Sequence, residues 1–155
     1  MNFEAVIGLE IHVEMKTRSK MFSSAPVEFG AEPNSLVSPN DIAFPGTMPT
    51  VNRQAIINAI RVANALHMSI DNVLVFDRKN YFYSDLPKGY QITQNKRPIG
   101  SEGYLEIKTD SVRRIAIERL HLEEDTCKQL HFSEYTLLDY NRSGVPLIEI
   151  VSKPD

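Results

Sequence analysis

Between residues 112 and 124 the apolar side chains change parity: Ile115 and Ile117 share one alternation, Leu120 and Leu122 the other. Alternate residues of a strand face opposite sides of a sheet, so one extended strand keeps all four on a common face only if a bulge or bend intervenes near Glu118-Arg119. Bulges of this kind re-aim the side chains that follow them, here His121, Glu123 and Glu124. A second alternation lies in 4–15, where Leu9, Ile11, Val13 and Met15 are separated by Glu10, His12 and Glu14, the pattern of a strand with one buried and one polar face.

Further patterns fill in the rest of the chain. Residues 16–40 are rich in Ser, Pro, Asn and Gly and read as a loop of unusual length, of the kind that carries function. Asn52 is the expected N-cap of a helix in which Ala55, Ile56, Ala59, Ile60, Ala63 and Leu66 recur at spacings of three and four. Residues 72–83 read as a strand or strand pair broken by the polar run Asp77-Arg78-Lys79-Asn80, and 90–94 as a short strand. Residues 98–108 read as a hairpin turning at Gly100-Ser101-Glu102-Gly103, and 135–140 with 145–152 as a hairpin around Asn141-Arg142-Ser143-Gly144. Six or so strands with one strong helix indicate an α+β fold built on an antiparallel sheet with few helices.

Composition narrows the function class. In 155 residues, 17 Lys and Arg against 20 Asp and Glu leave a net charge of −3, so any contact with RNA must be local. The single Cys127 makes no intrachain disulfide, no run approaches the roughly 18 apolar residues of a membrane helix, and Met1-Asn2-Phe3-Glu4 does not resemble a signal peptide. A soluble, intracellular, cytoplasmic chain is expected.

Three constellations can carry chemistry. Glu10-x-His12-x-Glu14 places three possible ligands on one strand face, about 6.5–7 Å apart at Cα, where the alternative is an ordinary solvated face. Glu123-Glu124-Asp125 must be solvated, paired with cations or neutralised by a divalent ion, and only one of the two glutamates faces the side of Glu10 and His12. Oxygen donors with at most one imidazole suit Mg²⁺ or Mn²⁺ better than zinc. Residues 77–91 interleave Arg78, Lys79 and Lys88 with Tyr81, Tyr83 and Tyr90, a pattern either for phosphates and stacked bases or for half-buried strand aromatics beside surface cations; Lys96-Arg97 extends the patch. The chain holds no glycine-rich phosphate loop, dinucleotide fingerprint, paired-Cys motif or nucleophile elbow. Cys127 reads as an inert small residue, His67 as a cation at a helix C-terminus and His131 as a surface residue.

Taken in order, Val6-Ile7-Gly8-Leu9-Glu10-Ile11-His12-Val13-Glu14, Lys20-Met21-Phe22, Phe44-Pro45-Gly46, Phe76-Asp77-Arg78-Lys79-Asn80-Tyr81-Phe82-Tyr83, Arg119-Leu120-His121-Leu122-Glu123-Glu124-Asp125 and Asn141-Arg142-Ser143-Gly144-Val145-Pro146-Leu147-Ile148-Glu149 resemble the B-subunit family of the tRNA-dependent amidotransferases. The resemblance covers the whole chain. It implies a catalytic cradle similar to glutamine synthetase and guanidino kinases, of which residues 1–155 are the N-terminal portion, with the rest of the cradle and a helical tRNA-gripping tail absent. It implies ATP- and Mg²⁺-dependent phosphorylation of the side-chain carboxylate of Glu-tRNA(Gln) or Asp-tRNA(Asn), then displacement by ammonia that an amidase A subunit frees from glutamine, in a heterotrimer with a small C subunit.

By the same resemblance Glu10, His12 and Glu124 are the expected catalytic and cation-binding residues, with Glu123 behind Glu124, and Arg78, Lys79, Tyr81, Tyr83 and Lys88 lie near the tRNA end or the nucleotide. Some family members bind zinc through paired cysteines in the loop after the first strand; this chain carries residues such as Ser23 and Ser24 there, so no zinc is expected. Two other readings stand beside this ligase: a truncated binding module for the tRNA end or a partner subunit, and a glutamine-synthetase-like enzyme acting on a free amino acid, which the specificity of the motifs disfavours. The 155-residue chain alone is expected to amidate aminoacyl-tRNA little or not at all and to expose apolar sheet edges, and turnover equal to that of a complete complex would refute this.

Overall fold

The computed structural model describes residue 1 and residues 3–155. In chain order the elements are β1 (Glu10–Glu14), α1 (Arg53–Ala65), β2 (Ser69–Ile70), β3 (Asp77–Asn80), β4 (Tyr90–Thr93), β5 (Gly100–Lys108), β6 (Val112–Glu124), β7 (Lys128–His131), β8 (Thr136–Asp139) and β9 (Pro146–Ser152). Five strands form an antiparallel sheet in the order β1-β9-β6-β5-β2, and β3-β4 and β7-β8 form two separate antiparallel ribbons. The architecture is α+β, as the patterning indicates. No helix among the described residues is long and apolar enough to cross a membrane.

The parity switch is a bulge. Ile117 pairs with Ser152 and Arg119 with Val151, so Glu118 has no partner on β9 and the strand turns over by one residue. Ile117, Leu120 and Leu122 therefore share one face, which packs with Ile148, Met21 and Phe22 against the fully buried Ala55, Ala59 and Ala63 of α1. Alanine at those three helix positions lets the helix lie close to the sheet, and Asn52 caps it by accepting N–H bonds from Gln54 and Ala55.

Gly100 and Gly103 lie inside β5 rather than in a hairpin turn, and the turn comes after Lys108. A side chain at Gly103 would collide with the Leu66 carbonyl and Met68, and a Cβ at Gly100 would sit 3.1 Å from that of Ala63. These glycines serve the close approach of helix and sheet. Residues 135–140 likewise do not pair with 145–152: β8 pairs with β7, while β9 inserts between β1 and β6. The run Asp77–Asn80 is itself a strand, because β3-β4 is a ribbon at the sheet margin with polar surroundings on one side. The apolar side of β1 is bare, Ile11 being 46% and Val13 41% exposed, because β1 is an edge strand beyond the reach of α1.

Beyond Gly100, the first residue of β5, β6 continues to Glu124, and the β3-β4 ribbon meets that free margin through side chains: Leu122 N–H donates to Gln94 Oε1 at 3.0 Å and Gln91 Nε2 donates to the Glu124 carbonyl at 2.6 Å. The long loop after β1 is anchored by a fully buried Lys20, whose Nζ donates to Asp41 Oδ2 and to the Tyr140 carbonyl, each at 3.1 Å. Asp41 is completed by Ser23 Oγ and the Ser38 N–H, both at 2.8 Å, and Asn52 Nδ2 donates to the Ser19 and Lys20 carbonyls. Removing one partner of such a buried pair leaves a charge without its counter-ion, which costs about 3–5 kcal/mol. Lys20→Met is expected to lower stability by about that amount in urea unfolding, against about 1 kcal/mol for Asn52→Ala; an effect of Lys20→Met below that of the cap would show that the pair does not anchor the loop.

Candidate functional site

The face of the sheet opposite α1 is polar because of the register. His12 on β1 stands opposite Glu149 on β9, which stands opposite His121 on β6; one row along, Glu14 and Leu147 align with Glu123, and on the other side Glu10 and Val151 align with Arg119. Three strands whose alternate apolar residues face the helix side, packed there on β6 and β9 and bare on β1, thus line up a row of imidazoles and carboxylates on the other.

His12 Nε2 lies 3.2 Å from Glu123 Oε1 and 3.4 Å from Glu149 Oε2, and His121 Nε2 lies 3.0 Å from Glu149 Oε2 and 3.6 Å from Glu123 Oε2. Thr93 Oγ1 donates to Glu123 Oε2 at 3.3 Å. One donor atom each from His12, Glu123 and Glu149 falls within a 4.8 Å span. Both glutamates are buried, and among the described residues their ion-pair partners are imidazoles alone. Burial pushes the Glu123 carboxyl up, but the His121 hydrogen bond and the charges of His121, His12 and Lys79 outweigh it and hold the carboxyl below its ordinary range. One nitrogen and two carboxylates, with two negative charges and no Lys or Arg between them, match a hard divalent cation such as Mg²⁺ or Mn²⁺.

Of the two neighbouring glutamates the structure brings Glu123, not Glu124, to this cluster. Strand alternation turns Glu124 to the helix side, where it pairs with the Lys88 ammonium and accepts the Ile92 N–H at 3.1 Å. Glu124 and Lys88 thereby satisfy each other away from the row. Glu10 lines the same cavity as the row but lies outside the converging trio. Lys79 lines both cavities beside Glu123. The Tyr81 hydroxyl is pushed up to about 12 by burial and by the charges of Asp85, Glu123, Glu124 and Asp125, so it stays protonated at neutral pH. Arg78 stacks over the Tyr90 ring at 4.4 Å, and Tyr83 stands exposed apart from the row.

A cavity of about 580 Å³ separates the sheet face from the β3-β4 ribbon, with Glu10, Arg119, His121, Glu123 and Glu149 on the sheet wall and Arg78, Lys79 and Lys96 on the ribbon wall. A second, of about 380 Å³, shares Lys79 and Glu123 with it and continues past His12 to Glu14, Asp125 and Arg142. An opening of about 600 Å³ at the start of α1 offers Arg53 as its only ionisable side chain and no acid–base cluster. Cys127 is buried and its thiol is pushed up to about 11, mainly by burial, so it is no nucleophile.

Sequence reading left Glu149 and His121 without a role. Each is an ionisable residue within an apolar strand run, Leu147-Ile148-Glu149-Ile150 and Leu120-His121-Leu122, and that interruption is the signal that would have found them.

A sequence model of the GatB/GatE catalytic domain matches residues 5–155. The chain is 60% identical over 154 residues to the B subunit of the aspartyl/glutamyl-tRNA(Asn/Gln) amidotransferase of Mycoplasmopsis agalactiae, covering 99% of this chain and 32% of that protein. It is 59% identical over 153 residues to the same protein of Mycoplasma mobile, covering 98% and 32%, and 58% identical over 156 residues to that of Staphylococcus aureus, covering 100% and 33%. The chain spans about a third of the length of the curated relatives it matches.

Burial raises the Asp125 carboxyl to about 6, aided by the Glu14 carboxyl and opposed by Arg142 and the Thr126 N–H. An Asp with a folded pKa above its unfolded value contributes stability at low pH that is lost as pH rises through the folded value. The contribution of Asp125 to stability is therefore expected to fall between pH 4 and about 6, and Asp125→Asn to remove that downward slope in urea titrations at each pH; an unchanged slope would count against a raised Asp125 carboxyl.

Proposed function

The chain belongs to the GatB/GatE catalytic domain family, and on that premise we propose that residues 1–155 form the N-terminal portion of a catalytic cradle that carries the phosphoryl-transfer site of a tRNA-dependent amidotransferase. The observation that carries this reading is the convergence of His12, Glu123 and Glu149 at a cavity whose sheet wall carries Glu123, Glu149 and Arg119 and whose ribbon wall carries Lys79 and Lys96. A nucleoside triphosphate bound with a divalent cation needs both walls: oxygen and imidazole donors for the ion, and ammonium or guanidinium groups for the phosphate oxygens. The cavity is also within the size range of small-molecule sites.

In the proposed reaction the side-chain carboxylate of tRNA-borne Glu or Asp attacks the γ-phosphorus of ATP, releasing ADP and forming an acyl phosphate. Ammonia then attacks the acyl carbon, phosphate leaves, and the nitrogen gives up a proton to yield the amide. Two anions must meet in the first step, so unscreened repulsion would set the barrier. Bound at His12, Glu123 and Glu149, Mg²⁺ or Mn²⁺ would supply the charge that neutralises the phosphoryl oxygens. Lys79 stands where both cavities meet, the place from which one ammonium reaches phosphate on one side and substrate carboxylate on the other.

An amidase A subunit as the ammonia source, a small C subunit and the acceptor end of Glu-tRNA(Gln) or Asp-tRNA(Asn) in the cytoplasm complete the proposal. It is supported by the relatives' being named as one component of such an enzyme.

Calorimetry of ATP with Mg²⁺ or Mn²⁺ tests the site. Binding is expected in the wild type, weakened at least about tenfold in Glu123→Gln and Glu149→Gln, and retained in Glu124→Gln. Loss in Glu124→Gln with retention in Glu123→Gln would move the cation to the other face of β6 and refute the assignment.

A further inference from the structure

His121 sits in the middle of β6 between Leu120 and Leu122, both fully buried, and is itself only 5% exposed. Its Nε2 reaches Glu149 Oε2 at 3.0 Å and Glu123 Oε2 at 3.6 Å, while His12, half-exposed on the edge strand, approaches the same two carboxylates from the other end of the row. The converging donors are those of His12, Glu123 and Glu149, so His121 stands behind the two carboxylates. Carboxylates only accept, so Nε2 carries the proton that faces them and Nδ1 faces away. That Nδ1 is buried without a hydrogen-bond partner.

We propose that His121 is a positioning residue for the cation site: its Nε2–H fixes the rotamer of Glu149 and steadies Glu123, so that their free lone pairs and His12 present a preformed set of donors. The inference rests on the cation reading given above and adds to it a residue that holds the ligands without being one. Outer groups of this kind, donating an N–H to a ligating carboxylate, change metal affinity by about 10–100-fold when removed. Comparing a donor-bearing with a donor-free replacement separates this role from a structural one. Exchanging the ring for an apolar one of similar size takes the N–H from two buried carboxylates and lowers stability, whereas an amide at the same place returns a donor. A histidine kept only for packing would give equal changes of affinity in both.

Mn²⁺ binding to the full chain, read from the loss of the free-ion electron paramagnetic resonance signal and paired with thermal melts, tests this. Wild type is expected to bind, and Glu149→Gln to lose binding. His121→Phe is expected to weaken Mn²⁺ by about 10–100-fold with a lowered melting temperature, and His121→Gln, which returns an amide donor, to recover most of the affinity. Unaltered affinity in a folded His121→Phe overturns the positioning role. So do equal losses of affinity in the folded Phe and Gln variants. Absence of Mn²⁺ binding in the wild type overturns the cation reading itself, and the positioning role with it.

Discussion

The register of β1, β9 and β6 is the constraint on which the rest depends. Each strand is two-sided, so the alignment that stacks Ile148 and Leu122 over the helix also sets His12, Glu149 and His121 in one row on the far side. A slip of one residue on β6 or β9 would turn its carboxylates toward α1 and its apolar set away from the core. The hydrophobic core therefore holds the polar site in register without touching it. The Glu118 bulge makes this possible on β6, whose two halves otherwise have opposite patterning.

Two buried ion pairs frame that arrangement and differ in purpose. Lys20 and Asp41 lie inside the loop that follows β1, with every strong donor and acceptor partnered, and they tie residues far apart in the chain to Tyr140. Burial lowers the Lys20 ammonium pKa, while the charge of Asp41 and its hydrogen bond oppose that shift. Lys88 and Glu124 join the β3-β4 ribbon to the end of β6, beside the glutamines that complete the strand's backbone hydrogen bonds. The functional row is the contrast: the ion-pair partners of Glu123 and Glu149 among the described residues are imidazoles, and one of those keeps an unsatisfied nitrogen. Unsatisfied polar groups in a packed sheet mark the place where binding outweighed stability.

Much of this was legible beforehand. The helix and its Asn52 cap, the extent of β6, its bulge and the polar row Glu10-His12-Glu14 all follow from periodicity of side chains along one element, which is a local property. What was misread involves partners distant in sequence. Gly100 and Gly103 look like turn glycines until helix α1 lies across them. The β7-β8 ribbon and the insertion of β9 between β1 and β6 reflect pairing choices that strand propensity does not encode.

The sequence by itself determined which residues alternate, where the helix starts, that a bulge must lie near Glu118, and that only one of Glu123 and Glu124 faces the side of His12. Tertiary structure alone decided which one. Pairing with β9 set the absolute facing of β6, placing Glu123 with His12 and Glu149 and sending Glu124 to Lys88. It also recruited Glu149 and His121, two residues far from His12 in the chain. Alternation fixes the relative direction of neighbours on one strand, whereas a site assembled across three strands needs their register, and register is set by packing between elements.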